Sequence, residues 1–354
     1  MGPGYIKASM KSLKIDRYHY KAMIGTGGVG SGSFFRLDGN HSLGREESRG
    51  GVFMDREDHC KLHIISHYVQ SLSGNGFSVI PVGKVGGDDV GERLLREMED
   101  VGMNMDCMEQ SAGDRTLFSF CFLYPDGSGG NMTTSDSACL KVDVPYLEKA
   151  RGQFARYQGK GIALAVPEVP MEARIRLLEL ATGFNFFRIA SFTSEEIPGV
   201  IDAGLLSHID LLALNLEEAA AITGLTVENS DPARIVSETV KRVAGIHPGI
   251  RVSVTQGRKG SWIWSDGFLR HLPVVEVPAD NSAGAGDAFL AGMIIGMVAG
   301  LSLEDAHQLA SLTGSFSVTS PHTIHKDMNR ETLRELAANS GQIFGESINK
   351  LLEE

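Results

Sequence analysis

Cysteine is scarce: four in 354 residues, and Cys60, Cys107, Cys121 and Cys139 show no C-x-x-C spacing. They read as reduced thiols of a cytoplasmic protein and offer neither a disulfide framework nor a cysteine zinc site. Basic residues are outnumbered, 33 Lys and Arg against 44 Asp and Glu, for a net charge of −11. A nucleic-acid binder needs a basic face, so that class is set aside. No apolar run approaches the roughly 18 residues of a membrane span, and the N-terminus, with Lys7, Lys11, Lys14 and Arg17, has no signal-type apolar core. No Walker A sequence occurs, which removes the P-loop folds. Proline is low at 12, so the 42 glycines mark tight turns and close backbone approaches rather than disorder. Hydrophobic residues make up 42% of the chain, enough for a sizeable core.

Residues 1–20 read as a polar arm and 21–354 as one large domain. A short strand at 21–24 runs into Gly25-Thr26-Gly27-Gly28-Val29-Gly30, a literal G-x-G-x-x-G. A dinucleotide fingerprint needs a helix to open at once. Residues 31–40 carry turn formers and no helical period. A backbone-lined turn beneath a ligand is the better reading, with an NAD(P) oxidoreductase as the minor alternative. Residues 59–72 have helical apolar spacing, with His59, His63 and His67 at i, i+4. That could make a metal face, but the pattern fixes no acidic or Cys ligand, so a helix surface or buried polar contact is preferred. Residues 116–124 alternate and place Phe118, Phe120, Phe122 and Tyr124 on one side. From residue 160, strands at 162–166, 184–190, 209–214 and 251–255 alternate with helices at 171–181, 216–223 and 232–244. This predicts a parallel sheet covered on both faces. A hairpin about Asp266-Gly267 and helices at 303–318 and 331–352 complete the chain.

Chemistry concentrates in three loops. Ala279 to Gly292 is a small-residue loop that opens an apolar helix and carries Asp287. Free N–H groups at a helix start make an anion site, and the glycines let a phosphate approach. Asp287 places a base beside it, although Asp also begins ordinary helices. At a strand end stand Asn215 and Glu218, placed to reach phosphates through Mg²⁺ and water, or to form a capping box with no ligand at all. Thr255, Gly257 and Gly260 form a T-x-G-x-x-G turn after another strand, fit for a nucleotide or for a plain β-turn.

In this order the motifs resemble the PfkB/ribokinase family of small-molecule kinases. The family's D-T-T-G-A-G-D-A-F signature aligns with Asn281 to Phe289, its N-x-x-E with Asn215 and Glu218, and its glycine turn with Thr255, Gly257 and Gly260. The resemblance spans roughly residues 21–325. It implies a ribokinase-like three-layer α/β/α sandwich with a mostly parallel sheet and a small β lid, here about 33–57 and 114–135. It also implies ATP- and Mg²⁺-dependent phosphorylation of an alcohol on a sugar or sugar-like molecule. Alternatives are a nucleoside kinase of the same fold and a non-catalytic nucleotide- or sugar-binding regulator. Asp287 would be the general base, Gly284, Ala285 and Gly286 with the Asp287 amide would form the anion hole, and Glu218 would hold Mg²⁺ through water. Such a base contributes about 10²–10⁴-fold, and one anion-hole donor about 3–4 kcal/mol. Some relatives bind a monovalent cation near this loop, and many form a homodimer through the lid.

Two positions depart from the family pattern. Asn281 stands where Asp is usual. The N-terminal sugar-binding pattern, an Asp after the first strand and G-G-x-x-x-N before a helix, is incomplete: Gly50-Gly51 is followed by no Asn. Asp38, Gly50, Gly51, Asp55 and Asn281 are the expected substrate contacts.

Overall fold

Strand β1 (Ala22–Thr26) is buried along its whole length, as the centre of a sheet covered on both faces must be. The computed structural model describes residues 12–126 and 129–353. β1 pairs in parallel with β4 (Ser78–Gly86) on one side and β8 (Gly161–Ala165) on the other. Beyond β4 lies β5 (Met108–Ser111); beyond β8 lie β9 (Phe187–Ala190), β10 (Leu211–Asn215) and β11 (Arg251–Thr255), all parallel. β12 (Ser261–Ser265) and β13 (Phe268–Leu272) finish the edge as the antiparallel hairpin expected about Asp266-Gly267. The order is β13-β12-β11-β10-β9-β8-β1-β4-β5.

Two hydrophobic clusters cover the sheet. One packs α1 (Lys61–Ser73), α2 (Asp89–Asp100), α6 (Ala285–Val298), α7 (Leu303–Ser317) and α8 (Arg330–Asn339) on one face. The other packs α3 (Met171–Gly183), α4 (Leu216–Thr223) and α5 (Pro232–Ile246) on the opposite face. This is the three-layer α/β/α sandwich that the alternation predicts. No helix among the described residues is long and apolar enough to cross a membrane.

A second sheet, β3-β2-β6-β7, joins β2 (Gly30–Leu37), β3 (Gly51–His59), β6 (Leu117–Leu123) and β7 (Gly129–Thr133). Its register puts Phe35, Phe53, Phe118, Phe120, Phe122 and Met132 on one face. Phe34, Leu117 and Ser119 lie on the other and are buried. The aromatic face is open: Phe53 is 62% and Met132 59% exposed.

Three local expectations change. Residues 12–20 are not a separate arm: Leu13 is buried, and the N–H groups of Leu13, Lys14 and His19 donate to Leu72, Leu351 and Val298 carbonyls at 2.7–2.9 Å. Residues 1–11 of that stretch lie outside the described residues. The single helix expected over 331–352 is two, α8 and a short helix Glu346–Leu352, because Gly341 takes the left-handed conformation (φ 68°) after Ser340. The G-x-G-x-x-G joins strand to strand, not strand to helix. A Cβ on Gly27 would stand 2.2 Å from Val166 Cγ2, and one on Gly28 2.2 Å from Glu168 Oε2. These glycines serve close approach to the loop after β8, and the dinucleotide reading falls.

Candidate active site

Parallel strands bring their carboxyl ends to one edge, where ligands of open α/β sheets bind. The loop before α6 reaches this edge. Gly284 turns it in the left-handed conformation (φ 78°), and a Cβ there would meet Thr323 O at 3.0 Å. Beyond Asp287, α6 is apolar and buried to its end, which drives it into the core and leaves only its first turn at that edge. Of the three amides there, Ala285 N–H donates to Ser282 O at 3.3 Å and Asp287 N–H to Gly284 O at 3.1 Å. Among the described residues, Gly286 N–H has no backbone acceptor.

The Asp287 carboxyl is raised to about 6, first by burial, with Glu218 and Asp58 adding to the effect and Lys61 opposing it. Lys61 Nζ lies 3.9 Å from Asp287 Oδ1. Burial works to discharge Lys61, but Asp287, Glu218, Glu168 and Glu196 outweigh it and hold the ammonium above its ordinary value. One cation thus organises a ring of carboxylates.

Lys61, Asp58 and Glu168 were not read from sequence as site residues. Lys61 begins α1, and Asp58 sits buried near the inner end of β3, where Cys121 Sγ approaches its Oδ2 at 3.6 Å. Burial raises the Asp58 carboxyl. Glu168 follows the end of β8 in the left-handed region (φ 76°), a conformation that costs a non-glycine residue about 1–3 kcal/mol. Burial raises its carboxyl to about 7 against the pull of Lys61. Its buried Oε2 has no hydrogen-bond partner among the described residues. The signal for Glu168 was present: an acid just past a parallel strand's carboxyl end.

Asn215 and Glu218 form the capping box, with Asn215 N–H donating to Glu218 Oε2 and Glu218 N–H to Asn215 Oδ1, each at 2.8 Å. The box does not exhaust Glu218, whose buried carboxyl is raised by desolvation and whose charge acts on both Lys61 and Asp287. Thr255 ends β11 beside the signature loop; a Cβ on Gly286 would lie 3.9 Å from Thr255 Oγ1. Gly257 (φ 52°) and Gly260 (φ 93°) make the tight return into β12, where a Cβ on Gly260 would strike Leu272 O at 2.1 Å. The turn itself accounts for both glycines.

The remaining expected contacts are not gathered here. Asp38 N–H donates to Gly50 O at 3.0 Å at the outer end of the β2–β3 pair. Gly50 and Gly51 share that end, roughly 20 Å along the strand from Asp58. Asp55 is exposed, while Asp58, past the irregularity that shifts the β2–β3 register, is buried. Asn281 is buried but turned into its own loop: Nδ2 donates to Pro321 O at 2.9 Å and Oδ1 accepts from Ala283 N–H at 3.1 Å. This explains Asn in place of Asp, since a carboxylate could accept from Ala283 but not donate to Pro321. Asn281→Asp is expected to destabilise the fold by about 1–3 kcal/mol in urea unfolding, because Pro321 O loses its donor and a buried charge appears.

Comparisons with known proteins agree with this architecture. The profile of the pfkB family carbohydrate kinases matches residues 67–330. The chain is 24% identical over 267 residues to a ribokinase of Arabidopsis thaliana, covering 72% of this chain and 66% of that protein. It spans between 52% and 66% of the length of the first curated relatives that it matches. Among solved structures, a ribokinase of Giardia lamblia superposes with a TM-score of 0.73 at 16% identity, covering 90% of this chain and 99% of that one. A Cryptococcus neoformans ribokinase in complex with ADP gives 0.71 at 17% identity, covering 89% and 99%.

Proposed function

We propose that this chain, which belongs to the pfkB family of carbohydrate kinases, transfers the γ-phosphoryl group of ATP to a hydroxyl of a sugar or sugar-like small molecule. The observation that carries the reading is a half-buried Asp287 on the first turn of α6, its carboxyl raised to about 6 beside a helix-start anion site. Asp287 takes the proton of the attacking hydroxyl as the new O–P bond forms and the bond to ADP breaks. The carboxyl is raised but ionised at pH 7–8, which suits a general base. Gly286 N–H is the amide with its hydrogen bond to give, and it would meet the negative charge on the moving phosphoryl group. Gly284 allows the turn, and Ala285 closes it. Asp58 and Glu168 accept from substrate hydroxyls, a role their buried oxygens fit. Asn215, Thr255, Gly257 and Gly260 line the nucleotide side.

The oxygen-only donors of Glu218 and its neighbours fit Mg²⁺, which keeps waters and prefers carboxylates. When bound, Mg²⁺ supplies charge neutralisation on the phosphates. Glu218 would hold it through water by the oxygen turned away from Asn215. Glu218→Ala is expected to lower activity and raise the Mg²⁺ concentration needed for half-maximal rate; an unchanged Mg²⁺ titration returns Glu218 to its capping role alone.

The open aromatic face of the small sheet suits a second copy of this chain. Phe53→Lys is expected to shift a dimer to monomer in sedimentation velocity.

A panel of sugars, nucleosides and sugar phosphates incubated with ATP, scored by ADP release, tests the reading. Substrate-dependent ADP release supports it. ATP binding without release on any acceptor favours the non-catalytic regulator.

A further inference from the structure

His59 ends β3, and His63 and His67 follow it on α1 at intervals of four residues, with no acid among residues 59–67. The packing of α2 supplies one. Glu97 Oε2 lies 3.0 Å from His59 Nε2, and donor atoms of His59, His63 and Glu97 all lie within 4.8 Å of one another. The His59 and His63 rings meet edge to face, centroids 4.8 Å apart. His63 is fully buried, and neither ring nitrogen has a hydrogen-bond partner among the described residues. A buried polar group left unmet costs about 1–3 kcal/mol. Burial, with the charges of His59, His67 and Arg93, holds His63 well below its ordinary pKa, in the neutral form that ligates metals.

We propose that His59, His63 and Glu97 form a site for one divalent transition-metal ion, Zn²⁺ by its donor chemistry. Two imidazoles and a carboxylate are a common zinc set, and bonds of 2.0–2.2 Å place tetrahedral neighbours about 3.3 Å apart. The His59–Glu97 spacing is already close to this, and the third donor moves inward on coordination. The surroundings orient the ligands. Arg93 NH1 donates to Glu97 Oε1 at 2.7 Å, which leaves Oε2 for the ion. Thr323 Oγ1 lies 3.4 Å from His59 Nδ1 and accepts His59 N–H at 2.9 Å. Such partners set ring orientation and are worth about 10–100-fold in metal affinity. The Glu97 side chain is 26% exposed, so the ion has an entry path and a place for a water ligand. His67 lies outside the set, its ring centroid 6.4 Å from that of His63.

The site lies at the β3–α1 junction, where His59 falls between Asp58 and Lys61 in sequence, and ties that junction to α2. The ion would act as a positioning element for both residues and takes no part in phosphoryl transfer. The proposal does not depend on which substrate the kinase uses.

The test uses the full chain, stripped with chelator and then titrated with ZnCl₂ by calorimetry and by thermal unfolding. The expected result is one ion bound per chain, a rise in Tm of several degrees, and tetrahedral d–d absorption when Co²⁺ replaces Zn²⁺. Glu97→Gln and His63→Asn are each expected to weaken binding roughly 100-fold or more and to abolish the Zn²⁺-dependent rise in Tm. If His63→Asn fails to fold, Glu97→Gln decides. Absence of saturable one-to-one binding, or the same affinity and Tm rise in Glu97→Gln, overturns the proposal and leaves a simple His59–Glu97 ion pair.

Discussion

Asp287→Asn is expected to fold, to retain ATP, and to lose turnover by about 10²–10⁴-fold, because the amide cannot take a proton from the acceptor hydroxyl. Steady-state ADP release measures this; undiminished turnover removes the base assignment. The wild-type kcat/KM is expected to climb as pH rises through about 6, where Asp287 ionises, and that limb should vanish in the variant. Stability should move the other way. A carboxyl whose folded pKa is raised favours the fold while protonated; that contribution is fully present below the unfolded pKa and is lost as pH rises through about 6. At pH 8 the ionised, desolvated Asp287 therefore weighs against folding, and the amide should recover up to about 3 kcal/mol. Calorimetry at pH 5 and pH 8 tests the sign: the Tm gain of Asp287→Asn should be present at pH 8 and shrink at pH 5. A Tm lowered at pH 8 contradicts it.

The second large effect is expected at Lys61. Its ammonium faces Asp287, Glu218, Glu168 and Glu196, and Asp58 acts on Asp287 from the small sheet. Lys61→Met keeps the length and apolar stem of the side chain but removes the charge. The carboxylates then repel one another without compensation. Breaking a buried pair costs about 3–5 kcal/mol; with Lys61 29% exposed and 3.9 Å from Asp287, the lower end applies. The loss should be greatest at pH 8 and smaller at pH 5, where Glu168 (about 7) and Asp287 (about 6) take up protons. Because Lys61 opposes the rise of the Asp287 pKa, its removal should also move the acid limb of the rate profile upward by roughly one pH unit, about a fivefold rate loss at pH 6. A folded variant with an unmoved limb would show that Lys61 acts elsewhere, on phosphate or substrate. That profile separates an electrostatic role from a merely structural one.

The signature loop and the strand–helix alternation were legible because their causes are contiguous. Gly284 to Asp287 carries a left-handed turn, a helix start and an acid within four residues, and Asn215 and Glu218 announce a helix start three positions apart. The geometry of the small sheet was not legible in the same way. A Gly-Gly pair and nearby acids suggested Asp38, Gly50, Gly51 and Asp55, but the register of β2 on β3 puts the first three at the outer end of the small sheet. The irregularity in that pairing brings Asp58, not Asp55, to the buried inner end. Glu168 could have been found by asking which acids follow strand ends.

By itself, the sequence determined what depends on neighbours along the chain: the sandwich class, the capped and glycine-turned helix starts, and the acid in the first turn of α6. The tertiary structure alone decided which distant groups share a field. The ends of β1, β8, β10 and β11 meet because the strands run parallel in one sheet, so Lys61, Glu168, Glu218 and Asp287 come together across more than 200 residues of chain. Likewise His59 at the end of β3 and His63 on α1 have no acid between them, and Glu97 reaches them only because α2 packs alongside. Propensity, capping and turn chemistry act over a few residues, whereas burial and Coulomb coupling act through space.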